Sequence, residues 1–260
     1  MRTKTIKPTP YPEINSTLQA LLSAVEETLG EQFAGLYLYG SLAGGSFNPQ
    51  SSDIDFVVAT RDALPDRLVR KLRGMHARLA TSENPWAQRM EGDYIALAAL
   101  RRHDPLNSAY PHLGVDGHFG VERHGSEAIL QRWMLRQNCM TLAGDNLQAL
   151  VDPVSAAELS QAVVGLLREW WKPQLDDHTR LESDEYRTYA ILTMCRMLYT
   201  LLQGEIISKP EAARWAQTNL EPRWAGLIDQ ALAWKQGDTI PDLPETVEFI
   251  RYTLEKSEQC

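Results

Sequence analysis

The hydrophobic periodicity of the chain changes once, at about Asp152, and this change most constrains the fold. Before it, short strand-like runs alternate with amphipathic helical patterns and with breaks rich in glycine, proline and histidine. After it, apolar residues recur at helical spacing. We therefore predict an α+β chain of two domains, a mixed sheet with flanking helices over residues 1–151 and an α-helical bundle over residues 152–260.

Local patterns predict individual helices and strands in both halves. The first helix runs from Asn15 to Leu29, with Asn15 or Ser16 able to cap it. The first half continues with the strands Leu36–Tyr39, Asp53–Thr60 and Gln88–Leu97, the helix Pro65–Leu79 and the loop His103–Gly125. The second half contains the helices Ala156–Trp171, Glu185–Gln203, Lys209–Asn219, Trp224–Gln236 and Pro244–Lys256.

The composition restricts the partners of this chain. Its 260 residues carry a formal net charge of -8, which repels a phosphate backbone because nucleic-acid binding depends on basic surface. A small polycationic molecule would instead be attracted. The three cysteines are far apart and have no metal-binding spacing. We therefore expect a small cationic partner and no nucleic acid.

The chain has no apolar stretch near the roughly 20 residues that a membrane helix needs. Its first residues, Met1 to Tyr11, contain charges and prolines where a signal peptide would have an apolar run. We expect a cytoplasmic protein that acts as a monomer and has no membrane partner.

Two aspartates stand close together at the second predicted strand, in the segment Ser52-Asp53-Ile54-Asp55. Side chains alternate faces along a strand, so Asp53 and Asp55 project to one side while Ile54 points into the core. Their backbones are roughly 7 Å apart. Such a pair suits magnesium, a hard ion that takes oxygen ligands and shares its shell with substrate phosphates.

A glycine and a serine, Gly40 and Ser41, directly follow the first predicted strand. A helix that began there would offer free backbone N–H groups and a hydroxyl to phosphate oxygens, and Gly40 would let the phosphates approach closely. Each fragment alone is typical of an ordinary turn or a solvated strand face. Together, the strand, the Gly-Ser pair and the paired aspartates favour a phosphate and metal site.

These motifs resemble the signature of the polymerase-beta-like nucleotidyltransferases, a glycine-serine pair followed by an acidic-x-acidic strand. More closely, the chain is similar to the streptomycin and spectinomycin aminoglycoside adenylyltransferases over nearly its whole length. Four segments carry this similarity: Leu38–Ser41, Ser52–Asp55, Arg196–Tyr199 and Gly204–Lys209. The resemblance makes the first domain a nucleotidyltransferase domain. It implies Mg-dependent transfer of AMP from ATP to a hydroxyl of an aminoglycoside-type antibiotic, with release of pyrophosphate.

The resemblance also implies roles for the residues of these motifs. Asp53 and Asp55 would bind two magnesium ions. The nucleotide would be bound by Gly40, Ser41 and Ser52.

The reaction needs a base for the proton of the attacking hydroxyl, and the third predicted strand offers Glu91 and Asp93. Both share one face by strand parity, so periodicity cannot choose between them. The family's catalytic glutamate follows an aliphatic residue, as Glu91 follows Met90. The resemblance therefore favours Glu91 as the base and leaves Asp93 to orient a substrate amine. Either acid can instead pair with a nearby arginine, Arg89 or Arg101.

Further residues match the family elsewhere. Arg196, in an apolar helical setting, and Lys209 would contact the nucleotide. Asp184 matches an aspartate that binds the aminoglycoside's cationic groups, although it would also serve as a helix cap. Where the family has a tryptophan after a Phe-Gly pair, this chain has Glu122, which loses stacking on streptomycin but can receive an amine. The same loop carries three histidines that can line the acceptor pocket or lie on the surface: His112, His118 and His124.

Two other functions are compatible with these sequence motifs. The same chemistry can act on another small molecule or on a protein side chain. A non-catalytic nucleotide-binding module would keep the fold but lack the third carboxylate, so the presence of Glu91 argues against it.

Overall fold

The computed structural model describes residues 8–235, 237–238 and 242–259. The chain start before Pro8 lies outside the described residues, as does Gln236, the predicted end of a helix that the structure ends earlier, at Ala233. The chain divides into two compact units, one of residues up to His124 with Arg132–Pro153, the other of Gly125–Gln131 with the chain from Val154 onward. Among the described helices, none is both long and apolar enough to cross a membrane.

The first unit is built on one six-stranded sheet. Its strands are β1 (Phe33–Leu38), β2 (Ile54–Thr60), β3 (Met90–Ala96), β4 (Ala109–Leu113), β5 (Phe119–Arg123) and β6 (Met140–Gly144). They lie in the order β5-β4-β3-β2-β1-β6. Among these described strands, β2 and β3 are the one parallel pair, and the other neighbours are antiparallel. The sheet is therefore mixed, as predicted.

Helices complete the first unit and form most of the second. They are α1 (Pro12–Leu29), α2 (Gly40–Ala43), α3 (Asp66–Ala80), α4 (Leu97–Arg101), α5 (Glu127–Asn138), α6 (Leu147–Leu150), α7 (Ala156–Leu166), α8 (Asp184–Gln203), α9 (Lys209–Asn219), α10 (Ala225–Ala233) and α11 (Leu243–Ser257). A π-helical turn, Leu167–Trp171, follows α7. The predicted α+β class, with a helix-rich C-terminal region, is confirmed.

Apolar cores pack against both faces of β2, and strand parity assigns the residues of this strand to them. Phe56 and Val58 pack in a core with residues of α1 and α3. Val57 and Ala59 belong to a second core, together with Tyr37 of β1. From Phe56 onward β2 is buried on both faces, which agrees with its almost continuous apolar run.

The second unit has a separate core around α8, which packs against α7, α9, α10 and α11. Gly204 ends α8 in the left-handed conformation, with φ of 72°, where a side chain would be strained. A capping box of Ser208 and Glu211 then begins α9. The local signals for α9 were strong, and its predicted range agrees with the structure.

The first helix begins earlier than its predicted cap. Pro12 occupies the first helical turn and Tyr11 precedes it, so the helix starts at Pro12 rather than at Asn15 or Ser16. The side chain of Asn15 is buried and bonds to the backbone of Thr9, donating to its carbonyl at 2.8 Å and accepting from its N–H at 3.0 Å. The prediction of a cap at Asn15 was wrong because this amide serves a tertiary contact.

The segment His103–Gly125 is not a loop throughout, since it contains the hairpin β4–β5. The turn is closed by the N–H of Gly114 donating to the carbonyl of His118 at 2.9 Å, with Gly117 at φ of 79°. Proline and histidine in β4 hide the apolar alternation that would indicate a strand. The prediction of a loop was wrong here for that reason.

A buried histidine should make the stability of the first unit depend on pH. The Nε2 atom of His76 in α3 lies 2.6 Å from the Tyr94 hydroxyl, and its ring stacks against Phe56 and Phe119. Burial lowers the pKa of His76 from 6.5 to about 4. Between these two values the unfolded chain binds more protons than the folded one. We expect the free energy of unfolding to decrease by roughly 3 kcal/mol as the pH falls through this window.

Urea unfolding of the wild type and of His76→Gln at neutral pH and at about pH 4.5 measures this effect. Glutamine keeps a polar group near Tyr94 but does not titrate. The variant should therefore lose less stability on acidification than the wild type. Equal losses in the two proteins would assign the acid sensitivity to other groups.

Candidate active site

Three carboxylates converge at the N-terminal end of the parallel strands. The register pairs Asp55 of β2 with Glu91 of β3, and Asp53 immediately precedes β2. Parity turns all three side chains to one face, where one oxygen of each lies within 4.8 Å of the others. All three residues are partly exposed. We call Asp53, Asp55 and Glu91 the carboxylate cluster.

Gly40 leaves room for this cluster at the end of β1. It has φ of 66°, and a Cβ atom there would overlap the Asp55 carboxylate, lying 2.6 Å from its Cγ. The N–H of Tyr39 donates to the Asp55 carbonyl at 3.2 Å, which holds the two strand ends side by side. Glycine is therefore required at position 40 by both the backbone conformation and the close carboxylate.

Ser41 presents a hydroxyl beside Gly40. Its Oγ is buried and has no hydrogen-bond partner among the described residues. A buried hydroxyl without a partner is costly, so a ligand oxygen would stabilise it. The predicted helix does begin here, but α2 has only four residues. The hydroxyl is therefore a stronger reason to expect a phosphate than the dipole of so short a helix.

The loop before Asp53 is held by its own hydrogen bonds. Asn48 donates its backbone N–H to the Ser52 hydroxyl at 3.0 Å. Arg89 donates to the carbonyls of Pro49, at 2.8 Å, and of Ser52, and its guanidinium lies 4.5 Å from the Trp86 ring centroid. In this structure the Ser52 hydroxyl closes the loop that positions Asp53. The sequence reasoning missed this role of Arg89, which stands just before β3.

Asp93 does not join the carboxylate cluster. It is 3% exposed, and the Nδ1 atom of His112 lies 2.8 Å from its Oδ1. Burial would lower the pKa of His112, but the hydrogen bond and charge of Asp93, with Glu91 and Glu122 nearby, raise it. This burial argues against direct contact between Asp93 and a substrate amine, because the sheet face is covered at that level. The structure thus separates the two acids that parity could not distinguish.

The remaining candidates lie in two places. Glu122 is exposed on β5 of the first unit. In the second unit, Arg196 is half-buried on α8, and the ammonium of Lys209 lies 3.9 Å from the ring centroid of Tyr189.

Asp184 is the first residue of α8 and forms an ion pair with Arg187. The helix cap is Ser183, whose hydroxyl accepts from the N–H of Tyr186 at 3.4 Å. Capping therefore does not account for Asp184.

Two family models match the sequence. Residues 19–87 match the nucleotidyltransferase domain, and residues 149–256 match the C-terminal domain of aminoglycoside adenylyltransferase. The first range contains Gly40, Ser41, Asp53 and Asp55, but it ends before Glu91. The position of Glu91 in the cluster therefore rests on the pairing of β2 with β3.

Individual proteins match most of the chain. It is 24% identical to the spectinomycin 9-adenylyltransferase of Campylobacter jejuni, over 91% of this chain and 90% of that protein. It is also 24% identical to the aminoglycoside (3'') (9) adenylyltransferase of Escherichia coli, over 92% of this chain and 93% of that protein. The crystal structure of a spectinomycin adenyltransferase from Enterococcus faecialis with ATP and spectinomycin shares the fold, with a TM-score of 0.72 at 18% identity, and the match covers 94% of this chain and 98% of that one.

The fold, the carboxylate cluster and the matched domain define this protein as a nucleotidyltransferase. With the matched C-terminal domain as well, the chain is an aminoglycoside adenylyltransferase-like enzyme. The resemblance predicted from the motifs is confirmed.

Proposed function

We propose that this enzyme transfers AMP from ATP to a hydroxyl of an aminoglycoside-type antibiotic of the streptomycin or spectinomycin kind, in a magnesium-dependent reaction that releases pyrophosphate. The observation that carries the proposal is the carboxylate cluster beside Gly40 and Ser41, in a chain similar over about nine-tenths of its length to adenylyltransferases. The monomeric state and the cytoplasmic location stay predictions.

The carboxylate cluster fits magnesium because Asp53 and Asp55 offer oxygen ligands, which this ion prefers. Asp53 and Asp55 would hold the metal, and we propose two ions. Three carboxylates this close repel one another, so a cation would stabilise the arrangement. Bound magnesium would supply Lewis-acid polarisation of the phosphate and would neutralise developing negative charge.

Glu91 is the proposed general base. Its carboxylate takes the proton from the acceptor hydroxyl, whose oxygen then forms a bond to the α-phosphorus of ATP. The bond from that phosphorus to the bridging oxygen of the β-phosphate breaks, and pyrophosphate leaves with the electron pair. The products are an AMP ester of the acceptor and pyrophosphate.

The other candidates bind and orient the substrates in this proposal. The Ser41 hydroxyl and the backbone at Gly40 bind phosphate oxygens, and Ser52 supports the loop beside them. Arg196 and Lys209 add positive charge against the triphosphate.

Acidic side chains would receive the cationic groups of the acceptor. Asp184 and Glu122 are proposed for this role, and the net charge of -8 attracts a polycation from a distance.

Replacing Glu91 by glutamine should lower kcat for AMP transfer by about 100-fold, since glutamine cannot accept the proton. The measurement is pyrophosphate release from Mg-ATP with streptomycin, spectinomycin and other aminoglycosides. The affinity for Mg-ATP should change far less than kcat, because Glu91 acts on the acceptor. Glu83 is an exposed acid on the same unit, so Glu83→Gln is a matched control.

Two results would contradict parts of this proposal. If none of the antibiotics caused pyrophosphate release while ATP binding stayed intact, the antibiotic acceptor would be rejected. The protein would then be a nucleotidyltransferase with another acceptor. Full activity of Glu91→Gln would reject Glu91 as the base.

A further inference from the structure

A second group of metal-ligating side chains lies beside the carboxylate cluster. Asp93 of β3 and His112 of β4 are cross-strand partners, and His124 follows the end of β5. One ligand atom of each lies within 4.8 Å of the others. We call these three residues the histidine cluster. Two of them lie on neighbouring strands and the third directly follows the next strand, so a ligand bound by all three would link β3, β4 and β5.

The spacing within the histidine cluster suits a four-coordinate metal. His112 Nδ1 and His124 Nε2 lie 2.8 Å and 3.6 Å from Asp93 Oδ1. Zinc binds imidazole nitrogen and carboxylate oxygen at about 2.0–2.2 Å, so neighbouring ligands of a tetrahedral site are about 3.3 Å apart. The two measured distances lie on either side of that value, and small side-chain rotations would equalise them.

The ligand types point to a different ion from that of the carboxylate cluster. Two imidazoles and one carboxylate favour zinc and neighbouring transition metals, whereas magnesium prefers oxygen alone. Asp93 and His124 are 3% and 8% exposed. A carboxylate so deeply buried requires compensation by a cation or by hydrogen bonds. We propose that Asp93, His112 and His124 bind one zinc ion, with water able to complete the coordination.

Neighbouring side chains position the two histidines of the histidine cluster. With Nδ1 of His112 turned to Asp93, its Nε2 faces the Glu91 carboxylate at 3.9 Å. Metal-binding histidines usually donate their second nitrogen to a carboxylate, and here that contact would require the pair to approach by about 1 Å. The Tyr110 ring stacks on His124, with centroids 3.9 Å apart and an interplanar angle of 3°. The zinc would therefore hold β3 at Asp93, two residues after the proposed base, Glu91.

The competing explanation is a network of hydrogen bonds alone, in which His112 donates its Nδ1 proton to Asp93. Metal binding would replace that proton, so the two states exclude each other at the same atoms. Metal binding measured directly distinguishes them without reference to activity.

The experiment is a titration of the apo-protein with Co²⁺, a spectroscopic substitute for zinc, in a large excess of Mg²⁺ that occupies the carboxylate cluster. We expect visible d–d absorption that saturates at one Co²⁺ per chain and is displaced by Zn²⁺. The double variant His112→Ala with His124→Ala should lose this signal. His118→Ala removes an exposed histidine of the same hairpin and should keep it.

A second variant separates this proposal from the proposed function. Asp53→Asn with Asp55→Asn should abolish AMP transfer but retain the one-equivalent Co²⁺ signal. Absence of saturable Co²⁺ binding in the wild type would overturn the zinc site, as would an equal signal in the histidine double variant. Circular dichroism of each variant shows whether a lost signal comes from unfolding.

Discussion

Replacing Asp55 by asparagine is expected to lower kcat/KM for AMP transfer by about 10⁴-fold, which corresponds to several kcal/mol of transition-state stabilisation. Asparagine has nearly the same shape but no charge, and Asp55 is the central member of the carboxylate cluster, between Gly40 and Glu91. Without it, the proposed metal loses a ligand and the phosphate charge is poorly neutralised. The measurement is pyrophosphate release over a range of Mg²⁺ and acceptor concentrations.

The same substitution should not destabilise the fold. Removing one of three clustered negative charges reduces their repulsion, so the melting temperature without metal should stay constant or rise. Asp62→Asn is the matched control, because Asp62 is exposed just beyond the opposite end of β2. Activity within tenfold of the wild type in Asp55→Asn would contradict the metal-binding role. Equal losses of activity in Asp55→Asn and Asp62→Asn would indicate a non-specific effect of charge.

Replacing Gly40 by alanine should lower kcat/KM by about 10³-fold, because the new Cβ displaces the Asp55 carboxylate and a misplacement of about 1 Å already costs about 100-fold. The added atom would lie 2.6 Å from Asp55 Cγ, a distance that real Cβ contacts essentially never show. The positive φ adds a cost of about 1–2 kcal/mol to the free energy of folding. Steady-state kinetics and urea unfolding measure the two effects separately.

Gly45 provides a control that isolates the clash. It also has a positive φ, 77°, but a Cβ there would meet nothing within 4 Å. Gly45→Ala should therefore lose the same 1–2 kcal/mol or so of stability while keeping its activity. If Gly40→Ala lost no more activity than Gly45→Ala, the close approach of Gly40 to Asp55 would not matter for catalysis.

Local chemistry in the sequence determined a large part of this protein. The change of periodicity at about Asp152 predicted the helix-rich C-terminal region, and the helical spacing of apolar residues predicted the range of α9. The alternation of side chains turned Asp53 and Asp55 to one face of β2. These features depend on neighbours in the chain, whose geometry is set by backbone periods and capping hydrogen bonds.

The tertiary structure decided which acid joins the carboxylate cluster, a choice that strand parity left open and that only the resemblance had favoured. Glu91 and Asp93 have the same parity, and only the register of β2 against β3 places Glu91 beside Asp55. The neighbouring hairpin β4–β5 places His112 beside Asp93, and His124 follows its second strand.

The physical reason is that the local sequence of a strand specifies only which side chains share each of its two faces. Its partner, its register and the level of each side chain depend on packing between segments far apart in the chain. The overlap that excludes a side chain at Gly40 is of the same kind, since β1 and β2 meet there only in the folded sheet.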